Sequence, residues 1–292
     1  MFKLRAEPHE YVAYWGARIA LGLFGLLPLE QASAFGGWLG RKLGSKVPVH
    51  RVAARQLQRA MPELSAAEQE KILTGMWDNL GRVLAEYAHL EDIAVGKHIE
   101  LVGGEYIRGV AESGKSAIFV SGHYGNWELI SHAGRHYDLP MVLVYRAANN
   151  PLTEELLQSL RAPIGAKHVP KGVRAARALL QALHGHESLG MLVDQKQNTG
   201  LPVPFFGRDA MTAPAVAELA LRMHCPVIPI RVIRLGGTRF RIETTAPLEF
   251  QTTGNREADT LTALQQINGV LEGWIRERPD HWFWVHRRWP KN

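Results

Sequence analysis

Apolar residues recur at helical spacing through the first ninety positions, and further along the chain they gather into short continuous runs. Short apolar runs bounded by Gly, Pro or polar residues are typical of buried strands. Because these runs alternate with helical stretches, the pattern predicts an α/β fold in which a central mixed sheet is flanked by helices. The predicted strands are 99–102, 117–120, 141–145 and 189–193, followed by a hairpin of 226–235 and 239–245.

The N-terminal stretch 11–29 is apolar and rich in aromatic residues, but Arg18 interrupts it. A basic flank, Tyr and Trp side chains and an apolar body are typical of a helix that lies in a bilayer or is tilted through it. A helix packed into the protein core is the alternative for a run this short. We therefore divide the chain into an N-terminal membrane-associated helical segment, 1–46, and a main domain, 47–292.

The charge balance favours acidic partners, since the 292 residues carry a formal net charge of +6 and the pI is about 9.5. Anionic lipid, an acidic carrier protein and nucleic acid all satisfy that condition. The basic residues are spread along the chain without a recognition motif, so we do not expect nucleic-acid binding. Cys225 is the only cysteine, which excludes an intramolecular disulfide and a cysteine-based metal site.

A histidine at the end of a predicted strand is the first candidate for chemistry. Strand 117–120 is followed by Gly122, His123 and a tight turn, and Asn126 is placed to cap the next helix. Ligands and catalytic groups gather at this edge of α/β sheets. Glu128, in the first helical turn, could orient the imidazole and leave its other nitrogen as a base. Alternatively, His123 caps the helix and Glu128 complements the helix dipole.

Two further predicted strands end in polar residues at the same edge of the sheet. Arg146 follows strand 141–145, and Asp194 with Gln195 follows strand 189–193. Residues 196–212 contain several Pro, Phe and Gly residues, and we expect them to form a long irregular loop that lines a pocket.

Three other motifs lead to weaker hypotheses. GVAESGKS at 109–116 matches the phosphate-binding loop pattern, but a helix precedes it and a strand follows, which is the wrong order for phosphate binding. Glu128, His132 and His136 share one helical face, yet the HExxH arrangement is absent, and we expect no metal site. The absence of a G-x-S-x-G elbow disfavours a serine hydrolase.

Four segments carry a resemblance to a known family. They are HYGNWE at 123–128, VYRAANNP at 144–151, DQK with VPFFGRDAMT between 194 and 212, and WFWVHRRW at 282–289. Together, and in this order, they resemble the lipid A biosynthesis acyltransferases, the lauroyl and myristoyl transferases of the lysophospholipid acyltransferase superfamily. The resemblance implies a glycerolipid acyltransferase-like fold, with 47–292 as the acyltransferase domain.

The resemblance also implies a reaction, in which a fatty acyl group passes from acyl carrier protein to a hydroxyl of a lipid A precursor. The expected place is the cytoplasmic face of the cell inner membrane, and no cofactor is expected. His123 would be the general base and Glu128 its orienter. The full set of expected catalytic residues is His123, Glu128, Arg161 and Asp194, and the expected substrate-binding residues are Asn126, Arg146, Gln195, Phe205 and Phe206.

Two alternatives stay open on the sequence alone. One is a different O-acyltransferase of the same superfamily, which acts on a glycerophospholipid or glycolipid hydroxyl. The other is a membrane-binding protein without catalytic activity.

Overall fold

Branched and aromatic residues form the strands of a central sheet, and amphipathic stretches form the helices around it. The computed structural model describes residues 7–172 and 175–289. The helices are α1 (Pro8–Gly25), α2 (Leu29–Leu43), α3 (His50–Ala60), α4 (Ala66–Glu86), α5 (Gly104–Ser113), α6 (Ile130–His136), α7 (Pro151–Arg161), α8 (Ala175–His184), α9 (Ala215–Met223) and α10 (Arg256–Glu277). The strands are β1 (Ile99–Val102), β2 (Ile118–Ser121), β3 (Met141–Tyr145), β4 (Lys167–Pro170), β5 (Ser188–Leu192), β6 (Leu201–Phe205), β7 (Arg208–Thr212), β8 (Val227–Gly236) and β9 (Arg239–Thr244).

Seven strands form the main sheet in the order β1-β9-β8-β2-β5-β3-β4. The strands from β8 to β4 run parallel, whereas β8 and β9 pair antiparallel as a hairpin. The predicted α/β fold with a mixed central sheet flanked by helices is therefore confirmed. The carboxyl ends of β2, β3 and β5 lie at one edge, and the segments that follow them are brought together there.

Alternate residues of each strand point to opposite faces of the sheet, which separates two parts of the core. Phe119, Ile228 and Ile242 belong to the part that packs with α5 and α6. Val120 and Met191 belong to the part that packs with α8, α9 and α10. The strands at the centre are buried on both faces, which explains why their sequences read as continuous apolar runs.

Helices α2 and α4 pack closely because glycines face each other at their contact. A Cβ atom on Gly36 would lie 2.4 Å from the carbonyl oxygen of Gly81, so only glycine allows this approach. Helix α1 is different, since none of its residues is buried. Within the described residues, no helix combines the length and the apolar character that a membrane span needs. The division of the chain at residue 46 stays a prediction.

The structure corrects two local predictions. Most of 196–212 is a β-hairpin of β6 and β7 and not an irregular loop. Asn126 precedes a short 3-10 turn, Trp127–Leu129, and its side chain makes no capping hydrogen bond. Strand β4 at the sheet edge was also not predicted, since KHVP is too short and too polar to resemble a buried strand.

Candidate active site

The turn after β2 is held on two sides by backbone contacts. The amide of Gly125 donates to the carbonyl of His281 at 3.0 Å, and the amide of Phe283 donates to the carbonyl of His123 at 3.0 Å. Gly125 has φ of 59°, and a Cβ atom there would lie 1.9 Å from the carbonyl oxygen of Val232. Glycine is therefore required at this position, and the turn is fixed between β8 and the C-terminal segment.

Asp194, not Glu128, is the partner of His123. Oδ1 of Asp194 lies 2.8 Å from Nδ1 of His123, and Oδ2 accepts the backbone amide of His123 at 2.8 Å. The two residues meet because β2 and β5 are adjacent and parallel, with Ser121 opposite Leu192. Two residues beyond that pair, the chain places the imidazole beside the carboxylate.

The environment of Asp194 keeps it ionised. Its side chain is 0% exposed, and the indole Nε1 of Trp282 donates to Oδ2 at 2.8 Å. Burial acts to raise the pKa of Asp194, but the charge and hydrogen bonds of His123 outweigh it and hold the pKa well below its usual range. With Nδ1 occupied by the carboxylate, the Nε2 lone pair of the imidazole is left as the proton acceptor.

Glu128 pairs with Arg161, so the expectation that it orients His123 is wrong. Arg161 donates through Nε to Oε2 at 2.8 Å and through Nη2 to Oε1 at 2.6 Å. The hydroxyl of Tyr87 donates to Oε1 at 2.6 Å, and the indole of Trp127 donates to it at 3.0 Å. A planar guanidinium that binds both carboxylate oxygens fixes their orientation. The Glu128 carboxylate is thereby held against Arg161 and not against the imidazole of His123.

The ionised pair of Glu128 and Arg161 also affects the protonation state of the neighbouring Tyr87. Burial acts to raise the pKa of Glu128, but the hydrogen bonds and charge of Arg161 outweigh it and lower the pKa. Burial, together with the nearby Glu128 carboxylate, raises the pKa of Tyr87. The charge pair therefore stays ionised and Tyr87 stays a donor at neutral pH.

Gln195 and His286 complete the surroundings of His123. The amide Nε2 of Gln195 lies 3.3 Å from Nε2 of His123 and 3.1 Å from Nε2 of His286. Burial, with the neighbouring His123 as a second cause, lowers the pKa of His286 to about 4. A neutral His286 can accept from the Gln195 amide, and this contact fixes the amide beside the imidazole.

His286 was not predicted as a site residue. It belongs to the C-terminal segment 282–289, which on the sequence alone is only one of the four segments that carry the family resemblance. Trp282, Trp284 and Trp289 of this segment are buried at 1%, 0% and 4% exposure. The segment is thus part of the core beneath the site, and the run of tryptophans is explained by packing.

A cavity of about 330 Å³ opens beside His123, on the face of the sheet that α6 covers. We call it the α6-side cavity. Its volume lies within the range of small-molecule sites. His123, Glu128 and Arg161 are among the charged and polar residues that line it. The apolar wall is formed by Phe119, Trp127, Ile130, Leu143, Leu192 and Ile230.

The predicted substrate-binding residues divide into two groups. Arg146, which is exposed, and Gln195 line the α6-side cavity at the carboxyl edge of the sheet. Asn126 is 0% exposed, and its Nδ2 donates to Oε2 of Glu86 at 2.7 Å. The side chains of Phe205 and Phe206 are buried too, and they pack against Trp289. The structure thus corrects the expectation for Asn126, Phe205 and Phe206, because their side chains belong to the core.

The residues that suggested a metal alternative are engaged in other contacts. Glu128 binds Arg161, and Nε2 of His132 donates to the carbonyl of Leu90 at 2.9 Å. In the described parts of the chain, no three His, Cys, Asp or Glu side chains are grouped so as to hold a metal ion.

Comparison with known proteins shows the family to which the chain belongs. The profile of the bacterial lipid A biosynthesis acyltransferase family matches residues 2–291. The chain belongs to this family. The protein is therefore an acyltransferase of lipid A biosynthesis, and the resemblance carried by the four sequence motifs is confirmed.

Three curated relatives of this acyltransferase come from Escherichia coli K12, and each is 24% identical to it. The lipid A biosynthesis lauroyltransferase aligns over 94% of this chain and 91% of its own length. The myristoyltransferase aligns over 93% and 86%, and the palmitoleoyltransferase over 81% and 77%. The relatives thus differ in the acyl group that their names state.

Proposed function

We propose that the protein transfers a fatty acyl group from an acyl carrier protein thioester to a hydroxyl of a lipid A precursor, with His123 as general base. One observation carries this proposal: His123 is held by a buried carboxylate at Nδ1, 2.8 Å away, and lines the α6-side cavity. A histidine in that arrangement can take a proton from a hydroxyl at neutral pH.

In the proposed mechanism the acceptor hydroxyl lies against Nε2 of His123 and attacks the thioester carbonyl. The imidazole takes the hydroxyl proton as the new carbon–oxygen bond forms, and Asp194 stabilises the resulting imidazolium. When the tetrahedral intermediate collapses, the carbon–sulfur bond breaks and the imidazolium returns the proton to the thiolate. Such a base contributes roughly 10² to 10⁴ in rate. No covalent acyl-enzyme is needed.

The oxyanion of the tetrahedral intermediate needs a hydrogen-bond donor close to the base. The Gln195 amide is 3.3 Å from Nε2 of His123, and we propose it for this role. Arg146 lines the same cavity and is the second choice. Glu128 and Arg161 fix the polar end of the cavity, where Arg161 also stacks on Tyr145 with its guanidinium carbon 5.6 Å from the ring centroid. The acyl chain would lie along the apolar wall.

Exposed apolar side chains support a membrane location for the N-terminal helices. Val12, Trp15, Ile19 and Leu23 recur at helical spacing on α1, Leu26 follows directly after the helix, and the five side chains are 53–81% exposed. The α2 residues Phe35 and Trp38 stack on each other near them. We propose that this N-terminal apolar surface lies in the cytoplasmic face of the inner membrane.

The same surface adjoins the site. Asn150 donates through Nδ2 to the backbone carbonyl of Glu10 in α1 at 2.8 Å. Residues 146–149, which precede Asn150, line the α6-side cavity. A lipid acceptor that enters from the membrane would therefore have a short path to His123.

The donor is tested by comparing acyl carrier protein and coenzyme A thioesters of the same fatty acid. An acidic carrier should be attracted by the net charge of +6, and this attraction is screened by salt with a Debye length of about 8 Å under physiological conditions. We expect the carrier thioester to react with higher kcat/KM and to lose more of it at high salt. Equal efficiency and equal salt sensitivity for the two donors would exclude carrier dependence.

The acceptor is tested in the same assay with a panel of lipid hydroxyls. We expect turnover with the lipid A precursor and little with lysophosphatidic acid or a neutral glycolipid. Preference for either of the latter would identify a different O-acyltransferase activity of the superfamily.

A further inference from the structure

A second cavity, of about 960 Å³, lies on the opposite face of the sheet from the α6-side cavity. We call it the α8-side cavity, because α8 and α9 form its walls. Val193 lines this cavity and not the α6-side cavity, whereas Leu143 lines only the α6-side cavity. Their side chains pack in the two parts of the core on opposite faces of the sheet. Its apolar wall consists of Leu179, Leu180, Val216 and Leu219.

The two cavities meet at the carboxyl edge of the sheet. Four polar residues line both of them: Arg146, Lys171, Gln195 and His286. Two of these, Gln195 and His286, contact or adjoin the His123 imidazole. A group bound in the α8-side cavity can therefore extend to the same reacting position as a chain bound in the α6-side cavity.

Cations that form no ion pair in the described parts of the chain line the α8-side cavity. Within residues 7–172 and 175–289, none of the five cations named below makes a side-chain hydrogen bond or an ion pair. The lining contains one carboxylate, Glu218, and it lies 3.8 Å from another lining residue, Arg256. The unpaired cations are Arg146, Lys171, Lys196, Arg222 and Arg287.

Such an arrangement costs electrostatic free energy unless an anion neutralises it. The charges of Arg146 and Lys171 are among the causes that lower the pKa of His286, after burial and His123. Like charges that converge on a concave surface raise the local concentration of an anionic ligand. Arginine and lysine together are the side chains that bind phosphate in proteins.

We propose that the α8-side cavity binds the phosphate-bearing part of a substrate, while the acyl chain occupies the α6-side cavity on the other face of the sheet. This inference rests on the proposed function, since the substrates are taken from it. The phosphate has two possible sources, the phosphopantetheine arm of the acyl donor and a phosphorylated sugar of the acceptor. Both would place a phosphate beside the cations and a reacting group beside His123.

Neutral variants of three cations test the proposal. Arg222→Gln, Lys196→Gln and Arg287→Gln are combined in one protein and compared with Arg177→Gln. Arg177 is exposed on α8, one of the helices that form the cavity wall, but does not line the cavity, which makes it a control for the loss of one positive charge nearby. We expect the triple variant to raise one KM by roughly tenfold or more, which corresponds to at least about 1.4 kcal/mol of lost binding free energy. The Arg177→Gln protein should keep the wild-type values.

Dephosphorylated substrates identify the source of the phosphate. If the donor supplies it, the KM difference appears with an acyl-phosphopantetheine donor and disappears with acyl-pantetheine. If the acceptor supplies it, the difference appears with the phosphorylated lipid and disappears after phosphatase treatment. No KM difference between the triple variant and Arg177→Gln for either phosphorylated substrate overturns the proposal.

A binding measurement tests the anion site independently of acyl transfer. Acetic anhydride labels accessible lysines, and inorganic pyrophosphate should reduce labelling of Lys171 and Lys196 several-fold while exposed Lys71 is unaffected. Sodium chloride at equal ionic strength controls for screening. If pyrophosphate protects the lysines but no acyl group is transferred from acyl carrier protein, the proposed function is refuted and the anion site is supported. Transfer without protection and without a KM change would refute the anion site alone.

Discussion

Two buried carboxylates lie on either side of the turn that carries His123, and they differ in the cation that each one faces. Asp194 faces an imidazole, a group that takes and gives a proton in general acid–base catalysis. Glu128 faces the guanidinium of Arg161, which keeps its charge throughout. The difference separates two tasks. A carboxylate beside an acid–base group can stabilise charge that appears during a reaction. A carboxylate beside a permanent cation holds the side chains that line the α6-side cavity in place.

Removal of the imidazole should have the largest effect in this comparison. His123→Ala should lower kcat/KM by about 10² to 10⁴, equivalent to about 3–5 kcal/mol of transition-state stabilisation. Asp194 loses the imidazole but keeps the backbone amide of residue 123 and the Trp282 indole as donors, so the protein should stay folded with a lowered melting temperature. Initial rates and a melting curve on the same preparation measure both. Wild-type turnover would remove His123 from the mechanism.

An isosteric change at Asp194 should act nearly as strongly on the rate. Asp194→Asn keeps the shape, but its NH₂ group can donate to Nδ1 of His123 and impose the unproductive tautomer. We expect a rate loss of about 10²- to 10³-fold. Circular dichroism and the melting temperature should stay near wild-type values. A rate within a few-fold of wild type would show that the carboxylate is not part of the catalytic unit.

The matched change at the other carboxylate should act on stability more than on rate. Glu128→Gln leaves the buried guanidinium of Arg161 without a counter-charge, and we expect a loss of about 3 kcal/mol in the free energy of unfolding. The rate should fall by roughly tenfold at most. Chemical denaturation and initial rates separate the two quantities. The double variant Glu128→Gln/Arg161→Gln should recover part of the stability, since no unpaired charge remains.

The opposite result would contradict the assignment of Asp194 to the reaction and of Glu128 to stability. If Glu128→Gln loses rate as strongly as Asp194→Asn and keeps its stability, Glu128 acts on His123 during the reaction. The interpretation drawn from the sequence, that Glu128 orients the imidazole of His123, would then hold in solution.

The central part of the fold could be predicted because its strands are buried on both faces and therefore read as continuous apolar runs. Hairpin β6–β7 could not be predicted in this way. Pro202 and Pro204 interrupt the pattern, although both are exposed, where a missing amide hydrogen costs little. Sequence periodicity reports burial, and it is uninformative for short strands at an edge.

The general-base role of His123 stays a prediction, and the predicted pairing of His123 with Glu128 differs from the structure, in which Asp194 is the partner. Glu128 is near His123 in sequence, whereas Asp194 lies 71 residues away. The signal for Asp194 was present, since two predicted strands ended in His123 and Asp194, but their adjacency depends on the strand order. His286 had no local signal, because its position depends on how the C-terminal segment pairs with the turn at Tyr124.

The smallest expected effect concerns His286, whose imidazole adjoins that of His123. Burial and the charges of His123, Arg146 and Lys171 lower the pKa of His286 to about 4, while Asp194 acts in the opposite direction. An unfolded histidine has a pKa of about 6.5. Between these values the unfolded chain binds a proton that the folded protein does not, so stability falls as pH falls from about 6.5 to 4.

The variant His286→Gln should therefore flatten the pH dependence of stability. A glutamine cannot titrate, so at pH 4.5 the variant should retain about 1–3 kcal/mol of unfolding free energy that the wild type loses relative to pH 7.5. Other buried histidines, such as His132, have lowered pKa values as well, and the difference between variant and wild type cancels their contribution. Urea denaturation at both pH values measures the four free energies. Parallel pH profiles for the two proteins would show that His286 is protonated over the same range in the folded and unfolded states, and its role as a neutral acceptor for Gln195 would then be lost.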